Sequence, residues 1–201
     1  MLNSYMDYDL REAAILGYLN RVPVHILTEQ SLTLPDVLGQ SPMHHAANLG
    51  RLHLVPKSCL TYDTMLVRDW NGYTPLHWAA SKGQLDMVPS ALLNAKNIMT
   101  QIDDGRSVLH FAAASDIGFA QIPLEILTPE NLLLKAGNGV TSLYLAAHFG
   151  NLGPLMGMDF GASTAAVRKI VGEDWWAAYQ SAMSDKTGLS VAEEAVGMDV
   201  F

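Results

Sequence analysis

A twelve-residue stretch of this chain recurs at nearly constant spacing, and this repetition constrains the fold more than any other feature. The clearest copy, Gly72–Gly83, reads GYTPLHWAASKG. Related copies begin at Gly39 and Gly105, each 33 residues away, and another begins at Gly139, 34 residues further on. Self-similarity at a fixed period of this length is typical of arrays in which each unit stacks on its neighbours.

Each copy contains the signals of a short helix. A glycine suits a tight turn, Ser or Thr suits the helix start, and a second glycine ends the apolar run. Residues 10–17 fall on the same frame but lack the preceding glycine turn. Because an end copy must meet water on its outer face, we interpret this stretch as the N-terminal cap.

A second element follows each helix and contains a Val-Pro or Ile-Pro pair, at Val22-Pro23, Val55-Pro56, Val88-Pro89 and Ile122-Pro123. Four prolines inside helices would cost roughly 12 kcal/mol, which equals the stability of an ordinary domain. The sequence therefore predicts a short second helix that begins at each proline. Thr28, Thr61 and Thr128 then predict a single capped helical turn.

The pattern Gly-x-Thr-Pro-Leu-His-x-Ala-Ala resembles the ankyrin repeat, in a proline-containing variety associated with bacterial repeat proteins. The resemblance covers residues 9–150 and 185–196. It implies an all-α, ankyrin-type helical solenoid of about five helix pairs plus a C-terminal partial capping repeat. It also implies that turn tips and a concave face bind other proteins, without a chemical step.

Residues 1–201 are accordingly expected to form a single ankyrin-repeat domain. Because the spacing from Gly150 to Gly188 exceeds that from Gly50 to Gly72, about one extra helix is inserted there. The predicted parts are an N-terminal cap repeat at 9–38, central repeats at 39–150, an inserted helical segment at 151–184 and a C-terminal cap at 185–201.

The composition narrows the classes of partner. The net charge of −8 disfavours nucleic acid and anionic membranes, and it favours a protein with a basic or mixed face. The single cysteine, Cys59, excludes an internal disulfide. No basic N-terminal leader or long apolar run is present, so we expect a cytoplasmic protein, with secretion by a signal-independent route left open.

The candidates for chemistry have simpler structural interpretations. His44, His77 and His110 share one repeat position, and the resemblance implies that they hydrogen-bond one turn to its neighbour. Cys59 occupies an apolar position of its copy and is expected to be buried. No catalytic residues, metal site or cofactor are predicted, since no phosphate loop, nucleophile elbow or zinc motif occurs.

The better functional signal is a set of positions that differ between copies while the frame is kept. Those predicted to bind a partner are Leu38, Gln40, Leu49, Trp70, Asn71, Tyr73, Lys82, Asp103, Asp104, Arg106, His148 and Phe149. Trp70, Tyr73 and Arg106 are of the residue types that dominate interface hot spots. The alternative for Trp70 is that it folds back onto its own turn.

Three functions compete at this point. The first is an adaptor, inhibitor or immunity-type protein inside its own cell, and the second is a secreted bacterial or viral effector that engages a host protein. The third is an enzyme with a site around His148, Phe149, Trp175 and Trp176. At helical spacing Trp175 and Tyr179 share a face while Trp176 points elsewhere, so this segment either seals the array or offers an aromatic knob.

Overall fold

The computed structural model describes residues 9–156, 158–173, 175–177 and 179–181. The predicted C-terminal cap at 185–201 lies outside this part of the chain. The α-helices of the described ranges include Leu10–Leu16 (α1), Glu29–Leu32 (α2), Pro42–Asn48 (α3), Tyr62–Leu66 (α4), Pro75–Ser81 (α5), Ala95–Ile98 (α6), Val108–Ala113 (α7), Pro129–Leu132 (α8), Ser142–His148 (α9) and Thr164–Val171 (α10). Within the described ranges there are helices and two isolated antiparallel bridges, but no strands.

The odd-numbered helices from α1 to α9 are the repeating long helices, and they form one stack. Contacts run from each long helix to the next, and from α9 to α10. Alanine pairs such as Ala46-Ala47 and Ala79-Ala80 are fully buried between them, so neighbouring backbones approach closely. The predicted all-α repeat fold is therefore confirmed.

The long helices start as their sequences predict. Pro42 and Pro75 occupy the first turn of α3 and α5, where the missing proline N–H costs nothing. Ser41 and Thr74 precede them in extended conformation as N-caps.

The Val-Pro and Ile-Pro elements differ from the predicted second helix. Pro56, Pro89 and Pro123 are extended, with ψ between 132° and 136°, and each precedes a three-residue 3₁₀ turn. Another 3₁₀ turn lies just before each pair, at Leu19–Arg21, Leu52–Leu54, Leu85–Met87 and Gly118–Gln121. Proline disfavours helical geometry in the residue before it, so the second helix is split into two turns.

The capped third element is confirmed. The hydroxyl oxygens of Thr28, Thr61 and Thr128 accept hydrogen bonds from amides in the first turn of α2, α4 and α8. Asn94 has the same role for α6. The repeat therefore consists of a long helix, two 3₁₀ turns and a short helix.

Polar side chains of one repeat donate hydrogen bonds to the C-terminal carbonyls of the long helix in the repeat before it. The Arg51 guanidinium donates to the carbonyls of Ala14 and Ile15, at the end of α1. Asn151 donates to the carbonyls of Ala113 and Ser115, at 3.0 and 2.7 Å. Because the last carbonyls of a helix have no partner within it, these bonds fix the spacing of the stack.

The extension after α9 contains the 3₁₀ turns Gly153–Leu155 and Gly161–Ser163, then α10. This part of the predicted inserted segment therefore contains a helix, at Thr164–Val171. The assignment of 151–184 as an insertion stays a prediction. Among the described residues, no helix has the length and apolarity needed to cross a bilayer.

Candidate functional site

The turns before the long helices are held by their own side chains. The carboxylate of Asp69 accepts hydrogen bonds from the amides of Asn71 and Tyr73, at 3.0 and 2.9 Å. The amide side chain of Gln40, in the preceding turn, donates to Asp69 at 3.4 Å. These bonds make the turns rigid and leave Asn71 exposed at a tip.

Trp70 lies across two successive turns. Its backbone N–H donates to the Leu38 carbonyl at 3.5 Å, and its indole ring covers Gly39 so closely that a Cβ there would collide with it. The side chain is nevertheless 71% exposed. The indole therefore packs on the preceding turn and presents most of its surface to solvent.

Four side chains form what we call the central aromatic cluster: Tyr73, Trp78, Arg106 and Phe111. The ring of Tyr73 stacks on Trp78 at 4.8 Å and meets the edge of Phe111 at 5.6 Å. Arg106 lies over the Phe111 ring at 4.9 Å and donates to the Tyr73 hydroxyl at 3.3 Å. All four are half-buried, so the cluster is built into the surface and still accessible.

The cluster is anchored by an ion pair. Arg106 donates to Asp104 at 2.8 Å, and the Asp104 carboxylate also accepts from the Arg106 amide at 3.0 Å. The side-chain hydrogen bond from Arg106 lowers the pKa of Asp104, and the same bond raises the pKa of Arg106. Both groups stay ionised near neutrality, which gives the cluster fixed charges.

Sequence reasoning found Tyr73 and Arg106 but missed Trp78 and Phe111. These two hold one repeat position, which His45 and Leu145 occupy in other copies. The sequence could therefore have identified both residues, because their repeat position varies between copies while the residues around it are kept.

The other predicted binding residues are distributed along the same series of turns and helix ends. Leu38, Leu49, Lys82 and Asp103 are exposed. His148 and Phe149 are exposed at the end of α9, where His148 stacks on Tyr144 at 6.2 Å and meets Phe149 edge-on at 5.0 Å. The structure thus brings Tyr73, Asp104 and Arg106 into contact, and it places His148 and Phe149 in a second cluster.

The repeated histidines have the structural role expected of them. His44 accepts from the Ser41 amide through Nδ1 at 3.0 Å, so its Nε2 carries the proton and donates to the Tyr73 carbonyl at 3.0 Å. His77 makes the same bonds to Thr74 and Thr100. Burial lowers the pKa of His77 to about 4, so this ring is neutral.

His110 departs from this pattern on one side. Its Nδ1 accepts from the Ser107 amide at 3.1 Å, but its buried Nε2 has no hydrogen-bond partner with good geometry among the described residues. Burial lowers the pKa of His110, and the nearby carbonyls of Leu134 and Val140 only partly counter this effect. In the part of the chain that the structure describes, no three His, Cys, Asp or Glu side chains are placed to hold a metal ion.

Cys59 is buried, as expected, and its thiol donates to the Leu27 carbonyl at 3.4 Å. This bond joins two copies of the repeat. Cys59 therefore contributes to packing between repeats.

The aromatic segment after α10 differs from its prediction in one respect. Trp176 does not point away from Tyr179, because the two rings stack at 4.7 Å, and Trp175 stacks on Tyr179 as well. Residues three and four apart on a helix both share a face, which explains the difference. Trp176, Tyr179 and Phe160 are buried and continuous with the core, as a seal requires.

A family model for ankyrin repeats (3 copies) matches residues 10–100. No curated protein matches the chain. The match begins at α1 and ends after α6, so it contains Trp70, Tyr73 and Trp78.

Proposed function

Because residues 10–100 belong to the ankyrin-repeat family, we propose that this chain is a non-enzymatic module that binds a partner protein through its turn tips and concave helix face. The observation that carries the proposal is the exposed indole of Trp70, three residues before Tyr73 of the central aromatic cluster. Trp, Tyr and Arg are the residue types that contribute most to interfaces, and here they are held ready on rigid turns.

The geometry favours recognition by a preformed surface. Tyr73, Trp78 and Phe111 already contact one another, and Arg106 is held by Asp104. Few side chains therefore lose rotamer freedom when a partner binds, and little affinity is lost to ordering. This rigidity suits an adaptor or inhibitor that holds a regulated protein inside the cell.

The test is affinity capture from the native cell with the wild-type chain and two variants. Trp70→Ala removes the exposed indole, and Tyr62→Ala is a matched control because Tyr62 is also exposed but lies in α4. Partners recovered with the wild type should be lost with Trp70→Ala and kept with Tyr62→Ala. The affinity of the recovered partner should fall about tenfold or more with Trp70→Ala.

Circular dichroism establishes that both variants are folded before capture. If the folded Trp70→Ala chain retains its partners as fully as Tyr62→Ala does, binding does not use this surface. If both variants lose the same partners, the capture is not specific to the turn tips.

A further inference from the structure

The first repeat exposes two adjacent aliphatic side chains at the end of α1. Ile15 and Leu16 are 39% and 61% exposed at the end of α1. Later copies have Asn48, Ser81 and His148 at the position of Ile15, while the position of Leu16 is also exposed and apolar in the second and fifth copies, as Leu49 and Phe149. Because Ile15 is aliphatic where those copies are polar, Ile15 and Leu16 form an exposed aliphatic pair, which indicates a contact site.

These residues border an open cavity that we call the N-terminal groove. Its volume is about 510 Å³, and its lining is Asp9, Arg11, Glu12, Ile15, Leu16, Asp36 and His45. Glu12 and His45 occupy the repeat position that Trp78 and Phe111 hold in the central aromatic cluster. At this repeat position the groove therefore has a carboxylate and an imidazole where the cluster has an indole and a phenyl ring.

The rim of the groove carries fixed negative charge. A hydrogen bond from the Glu12 amide lowers the pKa of Asp9. Burial alone would raise the pKa of Asp36, but hydrogen bonds from the Leu38 amide and the His45 ring outweigh burial and lower it. Both carboxylates therefore stay ionised.

Glu12 adds a third carboxylate, and this carboxylate forms no ion pair with any residue that the structure describes. It is exposed on α1, one turn before Leu16. Arg11 pairs with Asp9 at 3.5 Å and is the single lysine or arginine in the lining. The groove thus combines an aliphatic wall with an acidic rim.

On this basis we propose that the N-terminal groove binds a basic amphipathic helix of a partner protein. Leu or similar side chains of that helix cover Ile15 and Leu16, while its Lys or Arg side chains face the exposed carboxylates of Asp9 and Glu12. An apolar stripe flanked by cations matches this wall and rim, as in other helix-in-groove contacts. The inference rests on the proposed binding function and names the chemistry of one partner segment.

The experiment measures fluorescence anisotropy of a labelled synthetic peptide of about five helical turns, with Leu on one face and Lys on the other. One comparison peptide has the same composition with the faces scrambled, and a second has Glu in place of Lys. We expect one amphipathic Leu/Lys peptide to bind per chain, about tenfold more tightly than either comparison peptide. Its affinity should weaken between about 50 and about 200 mM salt.

Matched variants of the full chain locate the binding. Leu16→Ser and Glu12→Gln should each weaken the peptide about fivefold or more. Leu124→Ser and Glu125→Gln are controls, because both residues are exposed but lie in the Ile-Pro element of the fourth copy. Controls that weaken binding as much as the groove variants, or equal binding of the scrambled peptide, overturn the proposal.

Sedimentation of the chain alone tests a second occupant. Self-association that Leu16→Ser abolishes would assign the groove to another copy of this chain and overturn the proposal. The two proposals fail separately: if the peptide does not bind but Trp70→Ala still loses captured partners, only the assignment of the groove is wrong. If the peptide binds but Trp70→Ala keeps every partner, the assignment of the turn tips is wrong.

Discussion

Lowering the pH from about 7.5 to about 5 should destabilise the stack through His77. The ring is fully buried between repeats, and burial lowers its pKa from 6.5 to about 4. In the unfolded chain the same ring takes up a proton as the pH falls through 6.5. The unfolded state then binds more protons than the folded state, so the free energy of unfolding must decrease.

The two pKa values set the size of the effect. At pH 5 the unfolded imidazole is almost fully protonated while the buried ring is mostly neutral, which corresponds to about 2 kcal/mol. Below pH 4 the loss levels off at about 3 kcal/mol. The pKa values of His44 and His110 are also lowered by burial, so they contribute in the same direction.

The measurement is urea unfolding at both pH values, followed by tryptophan fluorescence. His77→Gln should be less stable than the wild type near neutrality, because its bond to Thr100 is lost, and its loss of stability on acidification should be about 2 kcal/mol smaller. His53→Gln removes an exposed imidazole and is the control. If His77→Gln and the wild type lose equal stability between the two pH values, the reasoning from burial is refuted.

Three further predictions concern packing. Trp176→Ala should lower the free energy of unfolding by about 3–5 kcal/mol, because its indole is buried. Trp70→Ala should lower it by less than about 0.5 kcal/mol, because its indole is exposed. Equal losses in urea titrations would contradict the interpretation that Trp176 seals the end of the array. Gly39→Ala should cost about 1–3 kcal/mol in thermal unfolding, because φ is +76° and a Cβ meets Trp70. Gly139→Ala, where φ is +80° but space is open, should cost less. The Cys59 thiol should react with a thiol reagent only after urea is added, and rapid reaction in the native chain contradicts its burial.

The parts of the fold that sequence predicted are those with local causes. An N-cap threonine, a first-turn proline and a closing glycine act within a few residues, so each long helix and capped short helix follows from its own segment. The Val-Pro elements were harder, because a helical turn and a 3₁₀ turn differ little in sequence preference. The extended ψ of Pro56 and its equivalents decides between them.

The candidate site was predicted in its residue types but not in its arrangement. Tyr73 and Arg106 stand out in the sequence, yet their contact with Phe111 joins residues from two copies. The contact of Trp70 with Gly39 also crosses a repeat boundary. A pattern within one copy carries no information about which side chains meet across that boundary.

The amino-acid sequence alone determined the period and the positions of the long helices and the capped short helices, because each of these has a short-range cause. The family resemblance implied the bridging role of His44 and His77. The tertiary structure decided how the copies face one another: the stacking of Tyr73 on Trp78, the burial of Trp176 and the open groove beside Leu16. The physical reason is that packing between repeats depends on the combined shapes of side chains about 33 residues apart, and small differences in size there either fill a space or leave it open.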